Sequence, residues 1–259
     1  MYTDKAKITK RLESDYDYLV NHGYNVLGVF LQGSQNYNLD YEGSDIDTKA
    51  IVIPTLEQIA MNSSMTSTTH VLDTDEHLDI KDIRLMHKCF KKQNINFVEI
   101  LFTDYNIVNM DFIKDYMSMF DNAEKIARYD KRASLNCMLG MMFREEGLLK
   151  RAGDYDPKPL YHIVRLHQFI KDYIEGKPYR NCLCVDEQTA TRFRNIKAQK
   201  EKHTLEEAKE IAFDLINESI DNLSNFFNTC PPTKSEEAEK IMDECLLNVL
   251  KHSLKKEVL

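Results

Sequence analysis

Two short apolar runs, VLGVFLQG at 26–33 and IDTKAIVIP at 46–54, enclose a polar loop of Gln, Asn, Tyr, Asp and Gly, and this pairing constrains the fold more than any other stretch. The runs are rich in Val, Leu, Ile and Phe, and the second stops at a proline, so both read as buried strands. Upstream, Ile8, Leu12, Tyr16 and Leu19 recur at spacings of three and four, which predicts an amphipathic helix over 3–22 ended by Asn21-His22-Gly23. Downstream, THVLD (69–73) and HLDI (77–80) can form a hairpin across a polar turn, IRLMHKCFKK (83–92) has helical spacing, and FVEILF (97–102) fits either a strand or a helix start.

From about residue 109 the chain reads as successive helices over 109–120, 122–150, 159–175, 187–201, 204–228 and 235–256, with breaks at Gly and Pro clusters. The expected organisation is an α/β (α+β) domain with a mixed sheet over 1–108 and a helical domain over 109–259, each near a usual domain size. No apolar run approaches the roughly 18 residues of a membrane span. The N-terminus is charged and polar where a signal peptide would be apolar, so the expectation is a cytoplasmic protein without a membrane partner.

The net charge of −8 argues against a protein that coats nucleic acid generally, because such proteins carry a positive excess. Local basic clusters exist nonetheless: Lys88, Lys91 and Lys92, and the run RFRNIKAQKEK at 192–202, in which Arg192, Arg194, Lys197 and Lys200 could track an RNA strand. The six cysteines show no zinc-ligand spacing, and only Cys182 and Cys184 are close. They are expected as reduced thiols without chemistry of their own.

The segment GSQNYNLDYEGSDID (33–47) places a Gly-Ser turn after one strand and an Asp-x-Asp pair at the start of the next. Residues two apart on a strand project to one side, so Asp45 and Asp47 can hold hard divalent cations through oxygen. Gly33 permits the backbone conformation of an anion-cradling turn, and Ser34 adds a hydroxyl donor. A phosphate cradle beside a carboxylate pair is what phosphoryl or nucleotidyl transfer requires, because that chemistry rests on positioning and charge neutralisation.

A strand, GS, ten residues and then DID before an apolar strand resembles the signature of the DNA polymerase beta-type nucleotidyltransferase superfamily. Three segments in order, GSQNYNLDYEGSDIDTKAIVIP, KCFKKQNINFVEILF and KPLYHIVRLHQFIKDYIEGK, resemble its branch of predicted nucleotidyltransferases associated with RNA repair. The resemblance implies a nucleotidyltransferase domain in which the aspartates bind two Mg²⁺ ions, with Mn²⁺ as substitute, and the GS turn contacts the phosphates of an NTP. It also implies a third carboxylate on a later strand, carried over to Asp79 with Asp73, Asp75 and Asp82 as competitors. Lys158, His162 and Arg165 share a helix face at spacings of four and three and match the KxxxHxxR of the third segment, which assigns them to the triphosphate.

Weaker candidates are Glu99, costly to bury without a partner, and Tyr37 and Asn38 in the loop. His77 and His87 read as structural. The implied reaction is transfer of a nucleoside monophosphate to an acceptor hydroxyl, favouring an RNA end. Protein modification of the AMPylation type, synthesis of a nucleotide messenger, and a non-catalytic nucleotide-binding role stay open as alternatives.

Overall fold

The computed structural model describes residues 3–258. Its chain divides into two compact units: one comprises 1–36, 40–129 and 235–259, the other 37–39 and 130–234. This division differs from the expected boundary at 108. The helices directly after 108 pack with the sheet unit, and the last helix rejoins that unit after the chain has built the second.

The first unit is built on a five-stranded mixed sheet in the order β3-β4-β2-β1-β5. Helix α1 (Lys5–Asn21), capped by the Asp4 carboxylate on the Ala6 N–H, is followed by β1 (Val26–Gln32) and β2 (Asp47–Val52). These are the two runs anticipated as buried strands. They pair antiparallel at the centre of the sheet, where both faces are covered and near-continuous apolar sequence is required. A short helix α2 (Leu56–Ala60) leads to β3 (Ser67–Val71) and β4 (His77–Asp82), which form the expected hairpin. β4 also runs parallel to β2, with Lys49 opposite Asp79.

Alternation on β4 settles the two faces of the sheet. Leu78 and Ile80 join Ile46, Ala50, Val29 and Leu31 in a core against Ile8, Leu12 and Leu19 of α1. His77, Asp79 and Lys81 point to the other side, where Asp47 and Lys49 lie in register. Helices α3 (Ile83–Lys91) and α4 (Ile95–Val98) follow, and the second half of FVEILF continues as a 3₁₀ turn, Glu99–Phe102. This run was open between strand and helix. The Asn94 carboxamide accepts the Asn96 N–H and starts a helical turn there. Edge strand β5 (Asn106–Val108) and helices α5 (Ile113–Asp121) and α6 (Ala123–Ala127) complete this stretch.

The second unit is helical: α7 (Lys131–Arg151), α8 (Pro157–Ile174), α9 (Tyr179–Leu183), α10 (Glu187–Lys197) and α11 (Leu205–Thr229). The single helix expected over 122–150 is two, because the Asp130 side chain caps a new N-terminus at the Ala133 N–H. α8 is the hub and packs against α7, α9, α10 and α11. Helix α12 (Glu236–Val258) returns to the first unit. Among the described residues no helix is long and apolar enough to cross a membrane, and all six cysteines are free thiols.

Candidate functional site

The sheet unit brings the GS turn and the aspartate pair together through strand register. β1 ends at Gln32 directly opposite Asp47, so Gly33 and Ser34 begin where the first carboxylate of β2 stands. Gly33 has φ +90°, a conformation L side chains rarely adopt, and a Cβ there would meet nothing within 4 Å. The need for glycine is therefore conformational, with open space over the turn. Ser34–Tyr37 forms a 3₁₀ turn staked from below: the Asn36 carboxamide donates to the Leu31 carbonyl at 2.7 Å and accepts from the Thr103 hydroxyl at 2.7 Å. Gln35, 2% exposed, donates to the Asp45 carbonyl at 2.6 Å and ties the turn to the aspartate ribbon.

Asp45 is exposed just ahead of β2, and Asp47 is half-buried at its first position. The Asp47 carboxylate accepts the His77 N–H at 2.9 Å, with the His77 ring at 3.3 Å. The residue between the two aspartates is held from the other side, where the Ile46 N–H donates to Glu76 Oε1 at 3.0 Å. Arg11 donates to Glu76 at 2.8 Å and to Asp15 at 2.8 Å, and Asp15 accepts the Thr48 hydroxyl. The ribbon is thus pinned at residues 46, 47 and 48 by a network of buried and half-buried charges. Gln35 and Glu76 were missed at the level of sequence because they act through a backbone carbonyl and a backbone amide, and Arg11 because it reaches Glu76 from 65 residues away; none of these leaves a motif.

Asp79 stands on the same face of the sheet but is engaged. Its carboxylate accepts from Lys49 at 3.0 Å, from the Thr69 hydroxyl at 3.2 Å, and pairs with Lys81 at 2.7 Å. Burial pushes this carboxyl up, but the ammonium groups of Lys49 and Lys81 outweigh it and hold it below the usual carboxylate range. Lys49 is 2% exposed and also covers the Phe97 ring at 3.9 Å. Among the described residues no group of three His, Cys, Asp or Glu is gathered as a metal cage. Asp45, ahead of β2, and Asp47, at its first position, each offer carboxylate oxygens, the donor type that hard divalent cations take.

In the helical unit, Lys158, His162 and Arg165 do share a face of α8, joined by Arg144 of α7 and Lys197 of α10. Burial, reinforced by Arg165, Lys158, Lys197 and Arg144, drives the His162 imidazole down to about 3. Arg165 is only 7% exposed, its Nε has no hydrogen-bond partner among the described residues, and its guanidinium lies 4.6 Å from the Tyr37 ring centroid. A buried cation without a counter-ion is costly, and a stacked ring offsets only part of that cost. Helical spacing exposed three of these residues in the sequence, whereas Arg144 and Lys197 arrive from other helices.

Other expectations fare differently. Arg194 is buried, donating to the Asn38 carbonyl at 2.8 Å and paired with Glu187, so the run from Arg192 does not present one basic face. Its members diverge: Arg192 is exposed, while Lys197 lies 5.5 Å from the Tyr161 ring. Lys91 is paired with Glu239 and Asp243. Glu99 is 3% exposed in the 3₁₀ turn, not at a strand edge. His87 pairs with Asp243 at 2.6 Å, a structural role.

No protein-family model matches the chain, and no curated protein matches it. Among solved structures the chain is similar to a nucleotidyltransferase-like protein from Exiguobacterium sibiricum 255-15, at 14% identity, covering 98% of this chain and 91% of that one, with a TM-score of 0.35.

Proposed function

We propose that the protein is a metal-dependent nucleotidyltransferase centred on Asp45 and Asp47. The observation that carries this reading is the register of β1 and β2, which sets the Gly33-Ser34 turn across from Asp47 while Gln35 joins that turn to Asp45. Gly33 and Ser34 receive the phosphates of an NTP through backbone N–H groups and the Ser34 hydroxyl. A divalent cation held by Asp45 and Asp47 would supply charge neutralisation on the triphosphate and lower the pKa of the acceptor hydroxyl. The pins at residues 46 to 48 keep the two carboxylates from relaxing apart under their mutual repulsion.

Asp79 is proposed as the third carboxylate, which a second Mg²⁺ would require, on one condition. It must exchange an ammonium contact for the cation, because Lys49, Lys81 and Thr69 already use its oxygens. In the helical unit we assign Lys158, His162 and Arg165 to phosphate, supported by the buried Arg165 guanidinium, whose Nε has no hydrogen-bond partner among the described residues. The acceptor, with an RNA end first and a protein hydroxyl or a second nucleotide as rivals, shares the same carboxylates in every case.

Mn²⁺ titration followed by electron paramagnetic resonance tests the centre without turnover. Wild type should bind Mn²⁺, and Asp45→Asn and Asp47→Asn should lose it while melting normally. Equal Mn²⁺ binding by all three proteins would remove the centre.

A further inference from the structure

The helical unit contains a cleft of about 370 Å³ that plays no part in the reading above. Its volume lies within the range of small-molecule sites, roughly 300–1,000 Å³. Two helices build it from matching strips. α8 supplies Val164, Gln168 and Lys171, and α10 supplies Phe193, Gln188 and Arg192, so that each wall carries an apolar residue, a carboxamide and a cation. Leu215 of α11 also lines the cleft. Among the described residues none that lines the cleft is a carboxylate, although Glu218 stands beside it, 3.4 Å from Lys171 and 3.5 Å from His167.

His167 lines the cleft as well and is 7% exposed. The Ser219 hydroxyl donates its proton to the Leu215 carbonyl at 2.8 Å, so at the 3.1 Å contact with His167 it accepts, and the imidazole carries its proton on Nδ1. Nε2 then faces the Glu218 carboxylate at 3.5 Å, two acceptors side by side. Burial, stronger than the opposing pull of Glu218, holds this imidazole below its ordinary range. Such an arrangement is completed by a donor N–H from outside, and Lys171, 3.4 Å from Glu218, fills it only in part.

We infer that this cleft is a binding site for a mononucleotide unit, its phosphate on Arg192 and Lys171, its base over Val164, Phe193 and Leu215 with its polar edge against Gln168, Gln188 and His167. Val164, Phe193 and Leu215 give the lining an apolar share for one side of a base, the carboxamides offer a donor and an acceptor each to a base edge, and guanidinium is the side chain best shaped for phosphate. A free nucleotide and a nucleotide of an RNA strand present the same chemistry.

The test is isothermal titration of the full chain in EDTA, so that Asp45 and Asp47 hold no cation, with AMP, GMP, CMP, UMP, adenosine, inorganic phosphate and a five-nucleotide RNA. At least one mononucleotide or the RNA should bind, more tightly than adenosine or phosphate alone. Arg192→Ala should weaken that binding at least tenfold, Gln188→Ala should shrink the preference among bases, and Lys209→Ala on α11 should change nothing. Arg192 and Gln188 are exposed, and unchanged melting curves should confirm that the variants are folded. Competition by the free mononucleotide against the RNA marks a single-nucleotide site, and Arg192-dependent RNA binding without such competition marks the strand as the source. Absence of binding by all nucleotides and RNA, or binding that both variants retain at wild-type strength, overturns the proposal. Neither result touches the Mn²⁺ titration of the carboxylate centre.

Discussion

Acidification should destabilise the protein through one residue, His162, by an amount that can be worked out. In the unfolded chain its imidazole titrates near 6.5, and in the folded protein burial and the four surrounding cations bring it down to about 3. Between those values the unfolded state binds a proton that the folded state refuses, so stability is lost as pH falls below 6.5. Integrated from pH 7 to pH 5, the loss is about 2 kcal/mol. Urea unfolding at both pH values, on wild type and His162→Gln, isolates the contribution, because every other titrating group is common to the two proteins. Wild type should lose about 2 kcal/mol more than the variant over this interval. Equal losses would refute the picture of a neutral imidazole trapped among cations. The same reasoning gives a functional readout: an anion seated beside Arg165 offsets the repulsion, so pyrophosphate should raise the His162 titration followed by NMR.

Ser34→Ala should weaken NTP binding by about 1.5–3 kcal/mol, the worth of a hydrogen bond to a charged group, and a change confined to acceptor affinity would misplace the turn. Glu76→Ala, which releases the Ile46 amide, should weaken Mn²⁺ binding roughly 10–100-fold, the range for residues that orient metal ligands, whereas Glu76→Gln keeps an acceptor and recovers part of it. Unchanged Mn²⁺ affinity in Glu76→Ala would make the network merely structural. Arg165→Ala should lower pyrophosphate affinity at least tenfold while leaving Mn²⁺ affinity alone, and equal pyrophosphate binding would dissociate α8 from phosphate.

What the sequence revealed and what it hid follow physical lines. The strands around 33–47 were legible because central strands must be apolar on both faces and the carboxylates interrupt that pattern. The β3–β4 hairpin was legible from its polar turn. The Lys49 partner of Asp79 was not, because Lys49 reaches it only through the parallel pairing of β2 with β4, a register that no local pattern encodes. The inward turn of one member of the basic run was hidden for a related reason: Arg194 reaches Glu187 and the Asn38 carbonyl, the latter 156 residues away in sequence. The unit boundary moved because α5, α6 and α12 carry helical periodicity indistinguishable from that of the second unit, and periodicity does not say what a helix packs against.

The most direct test of the central claim is transfer of label from α-³²P NTPs with Mg²⁺ to three pools of acceptor, RNA, protein and small metabolites, by wild type and Asp47→Asn. The account predicts Mg²⁺-dependent label in at least one pool, with release of pyrophosphate, and none with the variant. Label transferred equally by Asp47→Asn, or no label in any pool from any of the four NTPs, would contradict it.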